Sequence, residues 1–171
     1  MRLRLRLLVT LLRAWLFRAR IDILDESVLK LRVWPNDVDL LRVTNDRYHA
    51  FMDLGRLELV ARFGVSRRLA QAGWIPRIRA VTIRHRRSLK LFQRFELRTR
   101  LHSWDEKWFW FKQEFISNGR VVSIAYSQVI LHKKGHGTVS TQHVMDAAGV
   151  YRDRPERPRV TQIDLVDNEP L

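Results

Sequence analysis

The 171-residue chain contains no cysteine, which excludes disulfides, zinc-thiolate sites and a cysteine nucleophile. It has no G-x-S-x-G elbow, no Walker loop and no dinucleotide-binding glycine pattern, so those hydrolase and nucleotide classes have no support. No internal repeat or low-complexity domain occurs. Within the basic N-terminal stretch the longest uncharged run is Leu7 to Leu12. That is far short of the ~20 apolar residues a bilayer span needs. Acid is the scarce charge: 18 Asp and Glu stand against 32 Lys and Arg, a formal net charge of +14. Such a balance admits a polyanionic partner and says nothing about fold.

Residues 1–21 read as a separate basic amphipathic segment, in which Arg2, Arg6, Arg13 and Arg20 fall on one side of a helical wheel. Two readings stay open: a helix lying on an anionic membrane surface through residues 1–20, or one packed on the domain. A signal peptide fits poorly, because Arg13, Arg18 and Arg20 interrupt the apolar part. Residues 150–171 hold Pro155, Pro158 and Pro170 among charges and read as an irregular tail. The domain therefore spans residues 22–149.

Inside it, the stretch from Val33 to Gly64 organises the rest. Trp34-Pro35-Asn36-Asp37 breaks an extended segment, since proline fixes its own φ and disfavours helix at the residue before it. Asn45 is placed to cap a long helix that Gly64 closes. At 100° per residue, Tyr48, Phe51, Met52, Gly55, Leu59 and Phe63 share one face, with Ala50, Leu54, Leu57 and Ala61 opposite. A stripe of Asp46, His49, Asp53 and Arg56 lies between. A helix apolar on two sides is buried on two sides. Gly55 in mid-helix marks a close approach to something flat.

Strands follow. Gln93 to Trp104 alternates apolar and polar, as does Arg120 to Lys134, and Asn118-Gly119 predicts a two-residue type I′ hairpin. The run Trp108-Phe109-Trp110-Phe111 is apolar on both faces, which predicts cover by a second subunit. One strand, one long helix and an antiparallel meander make an α+β domain. Arg84 and Arg86, on a strand rich in arginine, are candidates to grip phosphates; a solvated strand face is the alternative. His132, His136 and His143 have no carboxylate nearby and read as surface histidines. The charge would suit nucleic acid, but no recognition motif accompanies it.

In order, Asp37-Val38-Asp39, Arg42-Val43-Thr44-Asn45, Tyr48 and Met52-Asp53-Leu54-Gly55-Arg56-Leu57 resemble the hotdog-fold acyl-CoA thioesterases of the 4-hydroxybenzoyl-CoA thioesterase type. The likeness continues through Arg87-Ser88-Leu89 and Trp104 to Phe109. It implies a hotdog fold, a long central helix wrapped by an antiparallel sheet, in a homodimer or homotetramer. The implied substrate is an acyl-CoA or acyl-carrier thioester, with no cofactor beyond the coenzyme A of the substrate itself. Asp39 falls at the catalytic carboxylate position, as base or nucleophile, with Asn45 at the helix end and Tyr48 and Arg84 with Arg86 toward substrate. The expected location is cytoplasmic, with a peripheral seat on a membrane through the N-terminus. Arg42 and Thr44 stand where the family has histidine and asparagine. That departure keeps a second reading open, a non-catalytic hotdog module that binds acyl chains or works at a membrane edge.

Overall fold

The computed structural model describes residues 20–151 and Pro155; the expectations for the N-terminal segment and the C-terminal tail fall outside these residues. Eight strands and three α-helices are described: β1 (Ser27–Arg32), β2 (Val38–Asp39), β3 (Arg42–Val43), α1 (Asn45–Arg62), α2 (Ser66–Gln71), β4 (Trp74–His85), β5 (Arg94–Trp104), β6 (Phe109–Ser117), β7 (Arg120–Lys133), β8 (Gly137–Val139) and α3 (Thr141–Ala148). The main sheet has the order β1-β5-β6-β7-β4, every neighbour antiparallel, with β8 added to β7. Its concave side takes α1, the hotdog arrangement that the resemblance implies.

Local chemistry accounts for the meander. Asn118 and Gly119 have φ of 51° and 71°, the positive values a type I′ turn demands at both central positions, and Ser117 pairs with Arg120 across it. Alternation sends Phe95, Leu97 and Leu101 of β5 inward. The last turn of the sheet, Lys133 to Gly137, returns as β8, a short strand that the sequence pattern did not reveal. α3 follows, capped by Ser140, whose hydroxyl accepts from His143 N–H, and closed by Gly149 in the left-handed region.

α1 starts one residue earlier than a cap at Asn45 would give: Thr44 holds the extended N-cap conformation and Asn45 is already helical. The helix meets the sheet in two apolar clusters. Phe51 and Met52 pack with Phe95, Leu97 and Phe115, and Leu59 packs with Leu101, Phe109 and Met145. The aromatic run of β6 divides between the two faces of the sheet. Phe109 and Phe111 are buried in the chain's own core beneath α3, and Trp110, on the opposite face, is 4% exposed. Val144 and Met145 of α3 share the cluster of Phe109 and Phe111 and cover that face of the strand.

Gly55 lies on the sheet. A Cβ there would fall 2.9 Å from Gln113 Nε2 and 3.0 Å from Leu97 Cδ2. Gly55→Ala gains about 1 kcal/mol of helix propensity, but overpacking costs typically 1–3 kcal/mol and must also displace Gln113 from its hydrogen bonds. We expect a net loss of about 1 kcal/mol or more in urea unfolding; a stabilised variant would show that the helix stands off the strands.

Candidate active site and apolar cleft

After β1 the chain makes one 3-10 turn at Pro35–Asp37. Asp37 Oδ2 accepts from Trp34 N–H at 2.8 Å, and its carbonyl accepts from Thr44 N–H at 3.4 Å. With 2% exposure, Asp37 ties the loop to the start of α1. β2 and β3 then form a hairpin in which Val38 pairs with Val43 and Asp39 with Arg42. Val38 and Val43 pack inward, so alternation turns Asp39 outward, where it is exposed. The two aspartates of D-x-D are therefore divided, one structural and one facing solvent.

The hairpin escaped the sequence reading because its turn is Leu40-Leu41, which is no turn signal. Both residues adopt positive φ, 46° and 69°. Bulky side chains reach that region at a cost of roughly 1–2 kcal/mol each.

The remaining expected residues lie apart. Asn45 is exposed on the first turn of α1. Tyr48 is buried, and its hydroxyl accepts from Leu89 N–H at 2.9 Å, so its ring packs in the core where substrate contact had been expected. Desolvation raises its pKa. The Tyr48 ring lies tilted against His85, centroids 4.4 Å apart, and His85 Nδ1 lies 2.9 Å from Ser123 Oγ. Arg84, one residue away, belongs to the opposite face of β4, across from Ile124. Arg86 is exposed beyond the strand end, its amide donating to Val122 O.

A different site emerges along the second side of α1. There an apolar cleft of about 400 Å³ opens against β4, β6, β7 and α3, lined by residues that include Leu54, Leu57, Ile78, Phe111, Leu131 and Met145. Asp39, Asn45, Tyr48, Arg84 and Arg86 are not among its lining residues. Its charged lining is one ion pair. Arg56 Nη2 donates to Asp53 Oδ1 at 2.5 Å, while Nη1 donates to Gln113 Oε1 at 2.8 Å and Ser127 Oγ at 2.9 Å. Gln113 Nε2 in turn donates to Met52 O at 3.0 Å and Thr99 Oγ1 at 3.1 Å. Burial lowers the Arg56 pKa and Asp53 opposes the shift; the guanidinium stays charged. The polar stripe on α1, with Arg56 three residues after Asp53, was the available signal. Among the described residues, no group of three His, Asp or Glu side chains could hold a metal ion.

Desolvation, and secondly the nearby charge of His49, hold the His85 pKa below its usual value. The unfolded ring therefore takes a proton first as pH falls through about 6.5, and folded stability declines below that pH. A thermal-unfolding series from neutral to acid should show this slope, and His85→Gln should flatten it. An identical slope in the variant would place the acid sensitivity elsewhere.

Over residues 33–159 the chain matches the thioesterase-like superfamily. Protein THEM6 of Danio rerio is 41% identical over 99 residues, covering 56% of this chain and 48% of that protein. Protein THEM6 of Drosophila melanogaster is 24% identical over 168 residues, covering 94% and 83%. The chain spans about half the length of the Danio and Xenopus relatives it matches. The DHNA-CoA thioesterase structure from Staphylococcus aureus superposes with a TM-score of 0.65 at 13% identity, over 72% of this chain and 89% of that one, a likeness of fold. With a helix wrapped by its sheet and a superfamily match from Val33 through the last helix, the chain belongs to the thioesterase-like superfamily.

Proposed function

We propose that this chain hydrolyses acyl thioesters of coenzyme A or of an acyl carrier, with the acyl group held in the cleft beside α1. The observation that carries this reading is the cleft, about 400 Å³ walled by hydrocarbon, within the range of ligand sites. Superfamily membership supplies the reaction type. α1 rises about 1.5 Å per residue, so the cleft wall at Ala50 starts some 7 Å beyond Asn45. An acyl chain running toward Leu57 would leave its carbonyl near the positive end of the helix dipole.

There the amides of the first turn, with Asn45 at their head, hold the developing oxyanion. Asp39 attacks the carbonyl to give a mixed anhydride as the C–S bond breaks and thiolate leaves. Water then splits the anhydride, releasing the acid and restoring the carboxylate. In the equivalent base route, Asp39 takes the proton of the attacking water. A thiol of pKa near 8.5 leaves without a strong general acid.

One observation favours a second carboxylate. Asp53 lines the cleft and is gripped by Arg56, whereas Asp39 stands on the hairpin outside it. Hydrolysis of short, long and aromatic acyl-CoAs by Asp39→Asn and Asp53→Asn separates the two. Asp39→Asn should cut turnover by about 100-fold or more and leave stability nearly unchanged. The reverse ranking would move the role to Asp53. Binding without hydrolysis of any member of the panel would make the chain an acyl-binding module, in keeping with Arg42 and Thr44.

The pairing of two chains is also proposed, now on a different basis. β4 is an outer strand of the main sheet, and its first half carries Pro76 and a bulge at Arg79, devices that block strand addition. Its second half, Ala80 to His85, is regular and can accept a second copy. Light scattering should give twice the 20.5 kDa chain mass. A monomer at micromolar concentration would overturn the pairing.

A further inference from the structure

We propose that the Leu40-Leu41 hairpin tip, with Trp34 and Phe92, is a wedge that inserts into the interface of an anionic bilayer. Leu40 is 91% exposed, Leu41 66%, Phe92 47% and Trp34 37%. Three of these four also occupy backbone positions that suit other residues. Leu40 and Leu41 fill both central places of a type I′ turn, where Asn-Gly is favoured. Phe92, at φ 60°, is the third residue of the turn closed by Gln93 N–H on Lys90 O, a place where positive φ favours glycine. Neither folding nor solubility accounts for large apolar side chains there.

The residues form one surface. Leu91 N–H donates to Leu41 O at 3.0 Å, and Arg42 bridges to Lys90. Phe92 N–H donates to Val33 O, and its ring meets Trp34 edge-on at 6.4 Å. Arg32 lies over both rings, at 5.7 Å from Trp34 and 5.4 Å from Phe92, and donates to Phe92 O.

Charge and shape select the occupant. Arg32, Arg42, Lys90 and Arg94 are exposed around the patch against the exposed Asp39, a strongly positive rim for anionic headgroups. Tryptophan and apolar tips suit the headgroup–acyl boundary, with cations reaching phosphate above them. A protruding two-residue tip needs a yielding surface, which a lipid interface provides. This inference stands apart from the proposed hydrolysis and from any role of residues 1–20.

The test uses the full chain and vesicles of phosphatidylcholine with and without phosphatidylserine. Leu40→Asn/Leu41→Gly gives the turn its preferred residues, so the thermal midpoint should hold or rise. Sedimentation with phosphatidylserine vesicles should nevertheless fall about tenfold, because the inserted apolar area is gone. Arg42→Gln/Lys90→Gln should weaken the same binding and reduce its salt dependence. Light scattering of the Asn-Gly variant should match wild type. Unchanged sedimentation of the Asn-Gly variant, or no binding by wild type, overturns the proposal. So does a loss of oligomer mass in that variant, which would assign the patch to a second copy.

Discussion

The contact between the α1 backbone and the sheet at Gly55 sets the place of nearly everything else on the concave face. Thr99 of β5, Gln113 of β6 and Ser127 of β7 form a polar row across that face, between the two apolar clusters. Gly55 lets the helix settle on this row, close enough for Gln113 to donate to the Met52 carbonyl. The Gln113 amide is satisfied at both ends, and its oxygen fixes Arg56. Buried polar groups stabilise only when satisfied; left half-paired, they favour other packings. This row therefore specifies both the register of the helix along the sheet and its distance from it.

Arg56 carries that constraint toward the rest of the site. Its guanidinium bridges from the helix to β6 and β7, a polar strut on the side where α1 does not pack directly on the outer strands. The apolar residues there, Leu54, Leu57 and Val60, are left facing a cleft, with β4 and α3 forming its far walls. Hydrocarbon walls with one fixed ion pair make a selective cavity. An aliphatic group gains from burial along them, whereas a polar group is rejected unless it reaches the Asp53–Arg56 pair. The cleft is thus a consequence of the strut, and both follow from a glycine in mid-helix.

Much of this was legible in the residues, and the misses have physical causes. The two-sided helix, the close approach at Gly55 and the Asn-Gly hairpin were readable because periodicity and turn chemistry are local properties. The catalytic candidates were less so. Asp37 and Asp39 differ by two positions, yet the 3-10 turn before Val38 reverses the simple alternation, burying one and exposing the other. Arg84 and His85 part to opposite faces of β4, so only His85 of the two reaches the Tyr48 ring, a division that a list of strand arginines does not display. The packing of Val144 and Met145 of α3 with Phe109 and Phe111 is a long-range contact, of which the double-sided apolarity of β6 carries no sign.

The chain also supplies its own control for the β2–β3 turn. At the β6–β7 connection it places Asn-Gly in the two positive-φ positions, the residues that geometry favours; at the β2–β3 connection it places Leu-Leu in the same geometry. What holds the leucines there is their neighbours. Val38 and Val43 anchor the hairpin in the core, Leu91 N–H binds the Leu41 carbonyl, and Arg42 bridges to Lys90. A conformation that its own residues disfavour persists only where its surroundings over-determine it. Such disagreement between local preference and global fold gathers at functional surfaces. Here it falls on the hairpin that carries Asp39, so the exposed carboxylate is held on a fixed support and not on a loose loop.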